Sequence, residues 1–360
     1  MHWEETTVLE TFGWNTFFEN SFRNHFPEDF TVGRIALEHK ERYELYTSIG
    51  EVWGEISGKL RYTAVGRTDF PAVGDWVVID LRPQERSATI HAVLPRKTKF
   101  SRKVAGIEAE EQIVAANVDK VFIVNGLDGD FSPRRIERYL LLTRESGAEP
   151  IIVLNKTDIA SDLDNQIQAI KTIAQTIPVI TLSATHDDTP SRFLPWLHMN
   201  ETAVFMGSSG VGKSTIINAL IGRDYLKTQE VRTVDSLGKH TTTHRELIKL
   251  ASGALVIDTP GMRELQLWAS EEGLNQTFSD IEALASQCRF SDCRHDQEPG
   301  CAVKAALENG TLDEKRYKNY CKMLRELRYL ELRQDSNAAR LEKMKWKKIH
   351  AAFKKNNKRK

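Results

Sequence analysis

Residues 207–214 read Gly-Ser-Ser-Gly-Val-Gly-Lys-Ser, a complete G-x-x-x-x-G-K-S. Glycines at these spacings let successive backbone N–H groups curl round an anion, and a helix opening directly afterwards adds the positive end of its dipole. The motif predicts a phosphate cradle built from Gly207, Ser208, Ser209, Gly210, Val211 and Gly212, with Lys213 reaching the β- and γ-phosphates of a nucleotide. The Ser214 hydroxyl is placed to ligate Mg²⁺, and Thr215 follows it in the same turn. The context fits. An apolar run, Ala203–Met206, precedes the motif, and Thr215–Leu220, ended near Gly222, reads as the helix.

Asn155-Lys156-Thr157-Asp158 addresses the base. A carboxylate at Asp158 accepts two hydrogen bonds from guanine N1–H and the N2 amino group. Adenine offers no such pair, and a site built to bond a group rejects its absence by ~10⁴–10⁵ in favourable cases. Asn155 would brace the loop and the base while the Lys156 stem stacks over it. Ser183-Ala184-Thr185 follows the run Val179–Leu182 and offers the Ala184 N–H to guanine O6. Asp258-Thr-Pro-Gly261 ends Leu255–Ile257; its carboxylate serves Mg²⁺ through water, and the Gly261 N–H senses the γ-phosphate. In the polar segment Lys227–Thr243, Thr242 is the expected second Mg²⁺ ligand, with Thr241 next in line. The set predicts GTP or GDP with Mg²⁺.

The order of these motifs is unusual. GTPases ordinarily place N-K-x-D and S-A-x after the phosphate loop; here both precede it, so the domain is circularly permuted. Chain ends lie close together in compact domains, so such a permutation keeps the site intact. It also feeds the switch after Gly261 into the C-terminal module, which predicts that nucleotide state reaches residues beyond 280. Met262 stands where many GTPases carry a glutamine that orients the attacking water. A thioether cannot orient water, so unaided hydrolysis is expected to be slow. His240 is the in-chain candidate for the water, its plainer alternative being a solvated loop histidine.

Three thiols and one imidazole follow as Cys288-x₄-Cys293-x-His295-x₅-Cys301. This donor set predicts a closed tetrahedral site for one structural Zn²⁺ with no open position for catalysis. Unrelated buried thiols and an iron–sulfur cluster are the competing readings, the latter disfavoured by the histidine. The fourth cysteine, Cys321, reads as an inert core thiol.

Three kinds of element must position these groups. Residues 1–30 are rich in aromatics (Phe12, Trp14, Phe17, Phe18, Phe22, Phe26) and suggest a helical arm. Residues 31–105 hold five strand candidates, Gly33–Leu45, Gly50–Gly58, Leu60–Ala64, Asp75–Asp80 and Ala88–Pro95, with a turn at Pro71–Gly74. Five short strands fit a small OB-like β-barrel or another barrel of that size. Residues 106–278 alternate buried strand runs (Val118–Val124, Pro150–Leu154) with helical ones (Ser132–Glu145, closed by Gly147), the pattern of a doubly wound α/β sheet. Residues 279–342 hold the cysteine cluster and helices, beginning with Ala302–Glu308, and 343–360 form a basic tail.

The chain has 360 residues, with 50 Lys+Arg balancing 50 Asp+Glu. Lys343–Lys360 contains nine basic residues and no acid, leaving the remainder at a net −9. That tail, with Trp346 and Phe353 among its charges, reads either as a solvated terminus or as an arm for nucleic acid. No apolar run approaches the ~20 residues of a membrane span, and the N-terminus lacks a signal-peptide pattern. Four cysteines do not make a disulfide framework at this length. A cytoplasmic, monomeric protein is expected.

The permuted order of N-K-T-D, S-A-T, G-S-S-G-V-G-K-S, G-K-H-T-T-T and D-T-P-G, between a leading barrel and a trailing C-x₄-C-x-H-x₅-C, resembles the RsgA (YjeQ/YloQ) family. Residues 115–119, 240–243 and 299–302 belong to the same likeness, which spans nearly the whole chain. The resemblance implies an OB-fold, a permuted Ras-like GTPase domain and an α-helical zinc domain. It implies GTP hydrolysis stimulated by the small (30S) ribosomal subunit and its rRNA during late maturation. His240 matches the family's proposed catalytic histidine, and Met262 its habit of an apolar residue after D-x-P-G. The alternative is a nucleic-acid-binding module that uses GTP and GDP only as a regulatory sensor. A small-molecule kinase finds no support, because the motifs at 155–158 and 258–261 describe a switch.

Overall fold

The computed structural model describes residues 3–27, 29–39, 42–103, 111–174, 176–223, 225–226, 245–258, 271–296 and 298–334. The chain divides into two compact units, Met1–Val104 with Glu110–Gln266 and Ala105–Ala109 with Leu267–Lys360.

The first unit opens with α1 (Trp3–Glu10) and α2 (Thr16–Arg23). Asn15 caps α2 by accepting from the Phe17 N–H at 3.1 Å. Five strands follow: β1 (Thr31–His39), β2 (Arg42–Thr47), β3 (Gly50–Ile56), β4 (Trp76–Arg82) and β5 (Ser87–Val93). β1 pairs antiparallel with both β2 and β4, β2 pairs with β3, β3 runs parallel to β5, and β5 returns to β4. These pairings close a five-stranded OB-like barrel, as expected. Leu9, Trp14, Phe18 and Phe22 of the arm pack on Val32, Trp76, Val78 and Leu94 of the barrel segment, with the Trp14 ring edge-on to Trp76 at 4.7 Å.

Two strand expectations need correction. Gly33–Leu45 is two strands, β1 and β2, paired to each other with Glu38 opposite Tyr43. Leu60–Ala64 is not a strand; Gly58–Thr63 forms a helix, α3. Leu60, Tyr62 and Ala64 alternate like strand residues, but the Ser57 hydroxyl accepts from the Leu60 N–H at 3.1 Å and caps a helical turn. Tyr62 is 91% exposed, so its place in the alternation reflects no buried face. The Pro71–Gly74 turn is pinned by Asp75, which accepts from the Ala72 N–H at 2.8 Å and twice from Arg96 at 2.8 and 2.7 Å. Arg96 also donates to the carbonyls of Thr68 and Phe70.

A hairpin of β6 (Lys99–Lys103) and β7 (Glu111–Ala116) leads into the α/β part. Its elements are β8 (Lys120–Gly126), α4 (Pro133–Ser146), β9 (Glu149–Asn155), α5 (Leu163–Ala174), β10 (Val179–Thr181), α6 (Thr189–Phe193), β11 (Thr202–Met206), α7 (Lys213–Ile221), β12 (Glu246–Lys249) and β13 (Leu255–Asp258). The sheet order is β10-β9-β8-β11-β13-β12, parallel except for β12. Phe193 of α6 and Ile216 and Ile217 of α7 pack with Phe122, Val124, Val153 and Phe205 on one face. α4 covers the other, where the Thr143 hydroxyl meets the Met206 sulfur. This is the doubly wound arrangement that the alternating pattern predicts. Ser132 and Gly147 bracket α4 as expected, although the Ser132 hydroxyl makes no capping bond.

The barrel and the α/β sheet are continuous. β1 pairs antiparallel with β12, Leu37 opposite Glu246, and the Tyr46 hydroxyl donates to the Leu247 carbonyl at 2.9 Å. Arg34 of β1, 2% exposed, donates to the Asn117 carbonyl at 3.1 Å and the Thr202 hydroxyl at 2.8 Å.

The second unit contains α8 (Glu271–Thr277), α9 (Ser279–Ala285), α10 (Ala302–Glu308) and α11 (Glu314–Gln334). Leu274, Phe278, Ile281, Val303, Leu312 and Met323 are buried here. Arg316 of α11 spans the packing: it bonds both Asp280 oxygens at 2.8 and 2.7 Å and lies over the Phe278 ring at 4.8 Å. Among the described residues, no helix is long and apolar enough to cross a membrane.

A candidate nucleotide site and a candidate metal centre

Because β9, β10, β11 and β13 run parallel, their C-terminal ends deliver Asn155, the Ser183–Ala184 loop, Gly207 and Asp258 to one edge of the sheet. Open α/β sheets bind ligands at that edge. Gly207 leaves β11 so close to β8 that a Cβ there would stand 2.3 Å from the Val124 carbonyl oxygen. Gly212 has φ +98°, and a Cβ on it would meet Asn155 Nδ2 at 2.2 Å. Both approaches require glycine, which explains two of the motif's fixed positions. Lys213 Nζ donates to the Gly207 carbonyl at 2.9 Å and to the Ser208 carbonyl at 2.5 Å. Ser214 and Thr215 follow, half-buried, in the first turn of α7, while Ser209 and Gly210 are exposed and Val211 is buried.

Asn155 joins the base loop to the phosphate loop. Its Nδ2 donates to the Val211 carbonyl at 2.8 Å, and its Oδ1 accepts from the Ala184 N–H at 2.9 Å. The Ala184 N–H, expected to face guanine O6, here points to Asn155 instead, because a buried amide must find partners for both its ends. Lys156 adopts φ +67° and its Nζ bonds Asp128 Oδ2 at 2.6 Å, which fixes the head of the side chain expected to stack along a base. Thr157 begins a short 3₁₀ turn with Asp158. The Ser183 hydroxyl holds the exposed Asp158 carboxyl below the usual carboxylate range, so it stays ionised at neutral pH.

Asp258 ends β13 opposite Glu246. Burial, and then the Glu246 charge, push its carboxyl up to about 6, with Lys213 opposing them. Glu246 itself accepts from the Tyr225 hydroxyl at 2.7 Å. A carboxylate raised in this way gains by neighbouring a cation, so the donor chemistry fits Mg²⁺. Thr241, Thr242, His240, Gly261 and Met262 lie outside the described residues, as do Trp346 and Phe353.

In the second unit the ligand atoms of Cys288, Cys293, His295 and Cys301 all lie within 4.8 Å of one another. Cys288 Sγ stands 3.9 Å from Cys301 Sγ and 3.6 Å from His295 Nδ1, which is 3.4 Å from Cys301 Sγ. A tetrahedral Zn²⁺ with bonds of about 2.3 Å to sulfur and about 2.0 Å to nitrogen puts its ligand atoms about 3.5–3.8 Å apart. The cluster fits that ion. Cys301 doubles as the N-cap of α10, accepting from the Lys304 N–H at 3.3 Å. Cys321 is half-buried rather than in the core.

Sequence reading missed the loop between β8 and α4. Asp128 holds Lys156, and Arg135 bonds Asp130 Oδ2 at 2.6 Å and the Ser208 hydroxyl. No local pattern marks these residues; they become partners only when β8 is laid between β9 and β11.

Comparisons with known proteins agree with this geometry. A family model described as RsgA GTPase matches residues 93–268. A small ribosomal subunit biogenesis GTPase RsgA of Opitutus terrae is 46% identical over 352 residues, covering 95% of this chain and 96% of its own. The corresponding RsgA 1 of Oceanobacillus iheyensis is 49% identical over 326 residues, covering 90% and 93%. Among solved structures, YjeQ from Thermotoga maritima aligns with a TM-score of 0.62 at 29% identity, over 83% of this chain and 98% of that one. YloQ, described as a circularly permuted GTPase, aligns at 0.61 and 27% identity, over 84% and 96%.

Proposed function

The chain belongs to the RsgA GTPase family, and we propose that it hydrolyses GTP to GDP and phosphate as a late maturation factor of the small ribosomal subunit. The observation that carries this reading is the gathering of Asn155, Asp158, Ser183, Gly207–Ser214 and Asp258 at one edge of one sheet, in permuted chain order.

In this reading Asp158 accepts from guanine N1–H and N2, with Asn155 bracing its loop, and the amides of residues 207–215 surround the phosphates. Lys213 is already held at the mouth of the loop by two carbonyls, so little reorganisation separates it from the β- and γ-phosphates. Ser214 and Thr242 would hold Mg²⁺, with Asp258 acting through water; the ion would neutralise charge building on the phosphate oxygens. His240 orients the attacking water. Cys288, Cys293, His295 and Cys301 hold one structural Zn²⁺. The barrel (31–105), the GTPase domain (106–278), the zinc domain (279–342) and the basic tail (343–360) are the functional divisions we assign, with the tail and barrel serving the subunit's rRNA. The protein acts in the cytoplasm as a monomer.

The test is steady-state GTP hydrolysis with and without purified small subunits, at low and high salt, with Lys213→Ala as control. Stimulation that fades with salt is expected. Fast hydrolysis indifferent to the subunit would remove the ribosomal role and leave the GTPase. Binding without turnover in either condition would favour a GTP sensor.

A further inference from the structure

The phosphate loop has an outer attachment that its motif does not contain. Arg135, in the first turn of α4, donates to the Ser208 hydroxyl and to Asp130 Oδ2, the latter at 2.6 Å. Ser208 is only 8% exposed, so its hydroxyl has little access to water as a substitute partner. Its carbonyl and that of Gly207 both accept from Lys213 Nζ. On the far side, the Asp130 N–H donates to Asp128 Oδ1 at 3.1 Å, and Asp128 Oδ2 accepts from Lys156 at 2.6 Å. An unbroken polar path therefore runs from Lys156 in the base loop, over the 128–135 segment, to Lys213 in the phosphate loop. Asn155 makes the inner connection between the same two loops; this path lies outside it and is partly exposed, with Arg135 and Asp130 side chains at 33% and 40%.

We infer that Arg135 is a positioning residue for the phosphate loop: by clamping the Ser208 hydroxyl against Asp130, it fixes the carbonyls that aim Lys213. Charge suits the task. Both bonds leave one nitrogen, Nη1, whose two hydrogens serve the Asp130 carboxylate and the Ser208 hydroxyl together. Arg135 bonds the loop through a buried side chain, Ser208, while the exposed Ser209 and Gly210 form the loop's open side. Arg135 thus reaches Lys213 through Ser208.

The inference rests on residues 207–214 being the phosphate loop, and Lys213→Ala in the full chain tests that premise separately. If Lys213→Ala binds mant-GDP and mant-GTP like the parent, the premise fails. With the premise intact, Arg135→Ala and Ser208→Ala are each expected to speed mant-GTP dissociation and lower kcat by about five- to ten-fold, the scale of one charge-assisted bond tempered by solvent. Their double variant is expected to be no worse than the worse single one, because both remove the same link. Arg135→Lys should recover part of kcat, and thermal melting of Arg135→Ala should match the parent. Effects that multiply in the double variant, an Arg135→Ala chain within two-fold of the parent, or a kcat loss matched by a lowered melting temperature would each overturn the inference. Should Arg135→Ala fail to fold, Asp130→Asn reads the same clamp from its other end and is expected to give the same loss.

Discussion

Replacing Asn155 with alanine separates the base loop from the phosphate loop at their buried connection. Two hydrogen bonds disappear, from Nδ2 to the Val211 carbonyl at 2.8 Å and from the Ala184 N–H to Oδ1 at 2.9 Å. Asn155 is 3% exposed, so water does not readily replace either partner. Each stranded group costs about 1–3 kcal/mol, and since Ala184 is half-buried we take about 2–4 kcal/mol for the pair. If that cost falls on the bound state, nucleotide affinity drops roughly 30- to 1,000-fold at 1.4 kcal/mol per decade. Asn155→Asp divides the effect. It keeps an oxygen for the Ala184 N–H but turns a carboxylate oxygen towards the Val211 carbonyl, so it loses the phosphate-loop bond and adds repulsion. The assay is equilibrium titration with mant-GDP and mant-GTP, alongside thermal melts of the same samples. Affinities for Asn155→Ala within about three-fold of the parent, less than one such bond is worth, would refute the reasoning, as would a loss for GTP with none for GDP.

Three further outcomes are expected. Asp75→Ala leaves Arg96 charged and 15% exposed with its carboxylate gone, which should cost about 3–5 kcal/mol in denaturant unfolding of the full chain, and a loss under about 1 kcal/mol would show the pair to be idle. Elemental analysis should find one zinc per chain, and Cys301→Ser or chelation should lower protection of residues 271–334 in hydrogen exchange while mant-GDP affinity stays near the parent's; unchanged protection without zinc would refute a structural ion. His240→Ala should lower kcat by about ten-fold or more with KM little changed, the pattern of a group acting in the transition state, and a change in KM alone would remove it from the chemistry.

The residues legible in the sequence were those whose chemistry is local. Gly207–Ser214 could be read because cradling a phosphate with backbone amides demands glycines within one short loop, and Cys288–Cys301 because metal ligands close in sequence share one turn-rich segment. Five candidates matched five barrel strands only because two misreadings cancel, Gly33–Leu45 being two strands and Leu60–Ala64 none. Leu60, Tyr62 and Ala64 carry a two-residue alternation, and only the capping bond of Ser57 decides for a helix. What stayed hidden was separated along the chain. Arg135 and Ser208 lie 73 residues apart, and Arg34 and Thr202 lie 168 apart. Neither pair has a spacing that chemistry imposes, since the sheet order alone makes them neighbours. Asp128 was hidden for a further reason: a lone aspartate in a polar loop looks solvated until Lys156 is set beside it.

The pairing of β1 with β12 has a consequence for how this chain avoids sticking to copies of itself. β12 is the last strand of the α/β sheet, and the rim of such a strand presents backbone donors and acceptors that any other extended segment can match. Here the barrel occupies that rim through β1, and the Tyr46 hydroxyl covers the Leu247 carbonyl. The barrel is therefore also a guard for its neighbour's open border. A chain cut to begin after residue 105 would keep every nucleotide motif yet bare this strand, and its expected failing is self-association through β12 before any loss of nucleotide chemistry.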